Sequence, residues 1–207
     1  MPQPPRASRV RDAEATKARL LKAATDEFAA HGIAGARVDR IGMAAKANKA
    51  LIYAYFGNKD QLFDAVMHAH VSRLIEEVPF DPDDVPGFAG RLFDFLLDHP
   101  YQLRLATWHR LERAGSGPES AGLHASVRRA YATSGSEGSA RVARSGPGGR
   151  RGFAPEDLLT FTLALVSAWM PDSPYAPAGW DRERAGSRRA AVVEAVSRLA
   201  APRPGGR

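Results

Sequence analysis

Between Arg37 and Leu62 the chain reads RVDRIGMAAKANKALIYAYFGNKDQL, and no other stretch restricts the fold as much. Val38, Ile41 and Ala45 fall on one face of a short helix. Asn48 is a good N-cap for a second helix that runs to Phe56 and stops at Gly57. Only the tight link at Lys46–Ala47 separates the two. That spacing is the layout of a helix-turn-helix, whose second helix lies in a DNA major groove.

Placing the second helix on a wheel assigns its faces. Ile52 and Phe56 stand one turn apart and face the core. Ala50 and Ala54 then point outward with Leu51 beside them, and Tyr53 and Tyr55 flank that face. So small a face lets the backbone approach a groove floor, with Ala50, Leu51 and Ala54 in reach of thymine methyl groups. Lys49, in the first turn next to Asn48, is placed to donate to a guanine edge or a phosphate. The tyrosine hydroxyls and Lys59 are placed to hold the phosphates that set the register. The amide end of the next helix, at Asn58–Asp60, is a further phosphate site. Charge agrees: residues 1–62 hold 11 Lys/Arg against 6 Asp/Glu, whereas 63–207 hold 18 against 17. A basic segment of this kind suits a polyanion partner.

Elsewhere helical stretches alternate with irregular links, and no alternating run bounded by hairpin turns occurs, so the fold class is all-α. A flexible Pro- and Arg-rich tail is expected over 1–12, a helix-turn-helix domain over 13–60 and a helical domain over 61–201. The first helix is expected from about Glu14 to His31, ended by Gly32, with Ile33 packing back on it. Asn58 caps a long helix, with Gln61 in the capping-box position. Helices follow around Phe88–Leu96, Tyr101–Arg113 and 119–133. Residues 134–152 read as a mobile Gly/Ser/Arg-rich loop. An apolar helix opens at Pro155, and a last one spans about Asp181 to Ala200.

The run Ile52-Tyr53-Ala54-Tyr55-Phe56-Gly57-Asn58-Lys59-Asp60-Gln61-Leu62, preceded by Phe28-Ala29-Ala30-His31-Gly32, resembles the tetracycline-repressor (TetR) family over residues 16–70. Two positions depart from that family's pattern. Lys46 stands where glycine is usual in the turn, and Arg37 stands where Thr or Ser usually opens the second helix. Arg37 forgoes a side-chain cap and offers a phosphate contact instead. The resemblance implies a transcriptional regulator, a repressor released from a palindromic operator by a small-molecule inducer. It implies a homodimer built on the last two helices. Independently, the helix of Leu158, Leu159, Phe161, Leu163, Leu165, Val166 and Trp169 is apolar nearly all round, as burial on two sides requires. Leu158, Leu165, Trp169, Val192, Val196 and Leu199 are the expected interface residues. An inducer site is expected in the C-terminal half, where Phe93, Thr107, Trp108, His109 and Phe161 could combine an apolar wall with polar handles.

Other classes find no support. No serine elbow, phosphate loop, zinc-binding helix motif or dinucleotide fingerprint occurs, so neither an enzyme nor a cofactor is expected. His68 and His70, two apart on a helix, point to different sides and do not share a metal ion. Asp81, Asp83 and Asp84 lack the Gly and Glu of a calcium loop. The absence of cysteine fits a reducing cytoplasm. The most apolar stretch, Leu158–Met170, is too short to span a bilayer.

Overall fold

The computed structural model describes residues 6–81, 83–113, 153–176 and 182–201. The helix expected near 119–133, the loop at 134–152 and its arginines lie outside the described residues. Within them, eight α-helices occur: α1 Arg6–Gly35, α2 Val38–Ala45, α3 Lys49–Phe56, α4 Lys59–Glu77, α5 Val85–Asp98, α6 Tyr101–Arg113, α7 Pro155–Ala168 and α8 Ala185–Ala200. A 3-10 turn, Arg182–Arg184, leads into α8, so that helix starts four residues later than expected. No strand occurs among the described residues, and the fold is all-α. No described helix is long and apolar enough to cross a membrane.

Two helix ends correct the sequence reading. Residues 6–12 belong to α1 rather than to a flexible tail. Prolines 2, 4 and 5 give that tail its proline-rich character, but no proline or glycine stands between Arg6 and Asp12 to break a helix. At the other end, Gly32 (φ 70°, ψ −176°) breaks the helix as expected, yet the chain resumes helical geometry as far as Gly35.

The described residues form two compact units. One comprises 6–70 and 104–113, the other 71–81, 83–103, 153–176 and 182–201. This division differs from an expected boundary at residue 60, because most of α6 belongs with the helix-turn-helix. In the first unit Leu20, Ala24 and Phe28 form the inner stripe of α1, and Ile33 is buried. Phe28 meets Phe63 of α4 edge-on, with ring centroids 5.1 Å apart. Ile41 and Ile52 close the same core from α2 and α3. Helices of eight residues are too short to persist alone, so this burial holds them. In the second unit, α8 packs on α5 and α7 around Phe88, Leu92, Phe93, Leu163, Val166, Val192 and Val196.

Candidate nucleic-acid interface

The geometry of α3 starts at its caps. Asn48 Oδ1 accepts the Leu51 amide at 2.7 Å, fixing the first turn. Gly57, at φ 79°, donates its amide to the Tyr53 carbonyl at 2.8 Å and ends the helix. Asn58 then caps α4 through the Gln61 amide, at 2.8 Å. The reciprocal half of the expected capping box does not form: the Asn58 amide donates to Phe56 O at 3.0 Å. Gln61 instead folds its carboxamide over Gly57, where a Cβ would collide with it.

With both ends fixed, Ile52 is 1% exposed and Phe56 8%. The opposite face is open: Lys49, Ala50, Tyr53, Ala54 and Tyr55 are exposed, and Leu51 is half-buried. Lys49 is not idle in the free protein, because its ammonium pairs with Asp39 at 3.3 Å. Lys59 is more committed. Its Nζ donates to the carbonyls of Ala34 (3.3 Å) and Ala36 (3.4 Å), so it ties α4 to the α1–α2 junction as well as facing solvent.

The corner between α2 and α3 depends on two residues. Lys46 adopts the left-handed conformation, φ 52° and ψ 45°. Ala47 N donates to Gly42 O at 2.9 Å and Lys46 N to Met43 O at 3.2 Å, the two bonds of a Schellman closure. That conformation costs a lysine about 1 kcal/mol relative to glycine. Gly42 is the second residue. A Cβ there would stand 2.8 Å from the Ala47 carbonyl oxygen, so only glycine lets the corner close.

Arg37, exposed and extended, makes no side-chain cap for α2. A residue unnoticed in the sequence compensates. Glu27 of α1 accepts the Arg37 amide at 2.8 Å and Arg40 Nε at 2.8 Å. Burial pushes the Glu27 carboxyl up. The hydrogen bonds from Arg40 and from the Arg37 amide, with the charges of Arg40 and His31, outweigh it, and the pKa lies below the ordinary carboxylate value.

The five residues read as an inducer pocket divide between the two units. Thr107, Trp108 and His109 belong to the first unit, Phe93 and Phe161 to the second. Trp108 Nε1 donates to Ala29 O at 3.4 Å, and its ring covers Gly32. His109 stacks on Phe63 at 6.0 Å. Burial and then the Arg113 charge lower the His109 pKa against the opposing pull of Asp64. One turn on, the Glu112 carboxylate accepts the amides of Ile33 (3.1 Å) and Ala34 (2.6 Å), which the break at Gly32 leaves without helical partners. Thr107 is exposed, and Phe93 is fully buried in the second core.

Phe161 lies on the outer side of α7. That helix buries Leu159, Leu163 and Val166 inward, and Met170 just beyond its end is buried with them. Leu158, Phe161, Leu165 and Trp169 follow at intervals of three and four on another stripe and stay partly exposed, Phe161 at 37%. The Arg188 guanidinium lies over the Trp169 ring at 5.5 Å. On α8, Val192 and Val196 are 2% and 1% exposed, so they fill their own subunit's core and offer no side chain to a partner. Leu199 remains partly exposed. Among the described residues no group of three His, Asp or Glu side chains is arranged to hold a metal ion.

Comparison with known proteins agrees with this geometry. Residues 20–66 match the model of the bacterial regulatory proteins, tetR family. Residues 84–198 match the tetracyclin repressor-like C-terminal domain. The HTH-type transcriptional repressor SCO4008 of Streptomyces coelicolor is 55% identical over 102 residues, 49% of this chain and 53% of that protein. The HTH-type transcriptional repressor NicS of Pseudomonas putida is 30% identical over 124 residues, 56% of this chain and 55% of that one. The matched region thus spans about half the length of either relative. Among solved structures, SCO4942 of Streptomyces coelicolor, named as a transcriptional regulator, superposes with a TM-score of 0.64. It is 35% identical and the match covers 89% of this chain and 97% of that one. With an N-terminal model over the helix-turn-helix and a C-terminal model over more than half of its length, the chain belongs to the tetR family of bacterial regulatory proteins.

Proposed function

We propose that this protein is a homodimeric, cytoplasmic transcriptional repressor that binds a palindromic operator and is released by a small-molecule inducer. It acts as a regulator rather than as an enzyme. One observation carries the DNA reading: Ile52 and Phe56 are buried while Ala50 and Ala54, opposite them, are exposed between Lys49, Tyr53 and Tyr55. A helix with so low an outer profile fits a major groove, where Lys49 can exchange Asp39 for a base edge or a phosphate. Arg37 and Lys59 lie at the flanks, where the sugar–phosphate backbone would run. The repressor names of SCO4008 and NicS support the direction of regulation.

Dimerisation is supported by the two-sided α7, whose partly exposed stripe Leu158–Phe161–Leu165–Trp169 suits a second copy, with Leu199 contributing from α8. Two recognition helices about one DNA turn apart then read the two half-sites. An inducer that prefers a conformation with the wrong spacing weakens DNA binding, and DNA weakens inducer binding by the same coupling free energy.

Selection of binding sites from random duplexes tests the reading. A palindromic consensus with half-sites about 10 base pairs apart is expected. Lys49→Ala should weaken the selected site by ~1–3 kcal/mol if Lys49 reads a base. No enrichment of any sequence, together with no salt-dependent binding to duplex DNA, would refute the proposal.

A further inference from the structure

Lys46 is the one non-glycine residue with positive φ among the described residues. The backbone needs a left-handed residue there to close the corner, but glycine or asparagine supplies that without a long side chain. Lysine contributes nothing to the closure itself; it adds a charge on a flexible stem. Strained positions of this kind concentrate at functional surfaces.

The surroundings sharpen the point. Three other cations of α1–α3 are engaged within the fold. Lys49 pairs with Asp39, Arg40 with Glu27, and Arg19 Nε donates to the Ala45 carbonyl at the end of α2. The Lys46 side chain is exposed, and its ammonium makes no hydrogen bond or ion pair among the described residues. It lines an open groove with Val38, Asp39, Met43, Asn48 and Lys49, between α2 and the first turn of α3. We propose that Lys46 is a phosphate-binding residue that clamps the DNA strand beside the groove entered by α3. The inference rests on the DNA-binding reading above and adds a contact to it. A single ammonium at the helix–helix corner would bind a backbone oxygen and carry no sequence information.

The test measures binding of the full chain to its selected operator and to a random duplex, by fluorescence anisotropy between 50 and 300 mM salt. Lys46→Gly and Lys46→Asn keep the turn and remove the charge; Lys46→Arg keeps the charge. Both neutral variants should melt no lower than the parent, and the glycine variant roughly 2–4 °C higher. The log–log salt slope should fall by about 0.9 for each protomer, on the order of fivefold in affinity per protomer at 0.15 M salt, alike on both duplexes. The arginine variant should bind as the parent does. Unchanged slopes in both neutral variants would overturn the proposal, and so would a loss confined to the operator. An equal loss in the arginine variant would also overturn it, because the effect would then follow the turn and not the charge. If the parent itself binds neither duplex, the DNA reading fails and this contact with it; if the parent binds and the neutral variants match it, only the contact fails.

Discussion

Gly32 meets two demands at once. Its φ of 70° is a conformation that side chains disfavour. A Cβ would also collide with the Glu112 carboxylate and stand 2.8 Å from the Trp108 ring. Gly32→Ala should therefore destabilise the protein by about 2–4 kcal/mol, combining strain and overpacking, read as a lowered denaturation midpoint. A change below about 0.5 kcal/mol would show that the α1–α6 contact yields easily. Asn48→Ala is a milder case. Losing the 2.7 Å cap should cost about 1 kcal/mol and loosen the first turn of α3, so operator affinity should fall with stability. These single residues differ in how visible they are before folding. Asn48, Gly57 and the Ile52/Phe56 pair are legible because caps and one-turn spacings are local signals. Glu27 is not, since it serves an amide ten residues away, just before the next helix. Gly42 is hidden too, because only the closed corner shows what a Cβ would strike.

At the scale of elements, α6 is the helix whose packing partners periodicity alone does not show. Trp and His next to Thr suggest a polar-edged pocket, but which neighbour a helix packs on is not written in its own spacing. The structure turns Trp108, His109 and Glu112 onto α1 and α4. Glu112→Ala would leave two amides without their acceptor and should cost about 1–3 kcal/mol, with Glu112→Gln losing less. His109 adds a pH dependence. Burial first, then the Arg113 charge, lower its pKa in the folded protein below the 6.5 of a free imidazole. Its neutral form is compatible with the fold, so this contribution to stability is complete above that value. It is lost as the pH falls from about 6.5 toward the lower folded-state pKa. The denaturation midpoint of the parent should thus fall between pH 7.5 and 5.5 more steeply than that of His109→Phe. Parallel curves would show that this ring does not titrate in that window.

At the scale of the whole molecule, the expected partner surface and the subunit core can be separated by substitution. Phe161, more than one-third exposed on the outer stripe of α7, can accept a charge without disturbing its own core. Phe161→Asp should leave helicity intact, shift sedimentation from dimer to monomer, and weaken operator binding through loss of the second half-site. Val196→Asp places the charge among Phe88, Leu163 and Val192 and should unfold the second unit instead. An unchanged dimer for Phe161→Asp would remove α7's outer stripe from the interface. The all-helical class and the two-sided character of α7 were readable from periodicity. The inward turn of Val192 and Val196 was not, because a helix with an apolar stripe does not say whether its own subunit or a second copy covers it.

The first unit is assembled from two separated stretches of chain, with α6 returning over α1 and α4. On the ribosome, the N-terminal three helices and the start of α4 emerge well before the segment that completes them. Until residue 113 is free of the exit tunnel, Phe63 lacks its stacking partner and the amides at Ile33 and Ala34 lack their carboxylate. A product terminated anywhere in α5 therefore carries all of α3 but an unfinished scaffold beneath it. Such a fragment should be cleared by proteases sooner than it could compete with intact protein for a promoter.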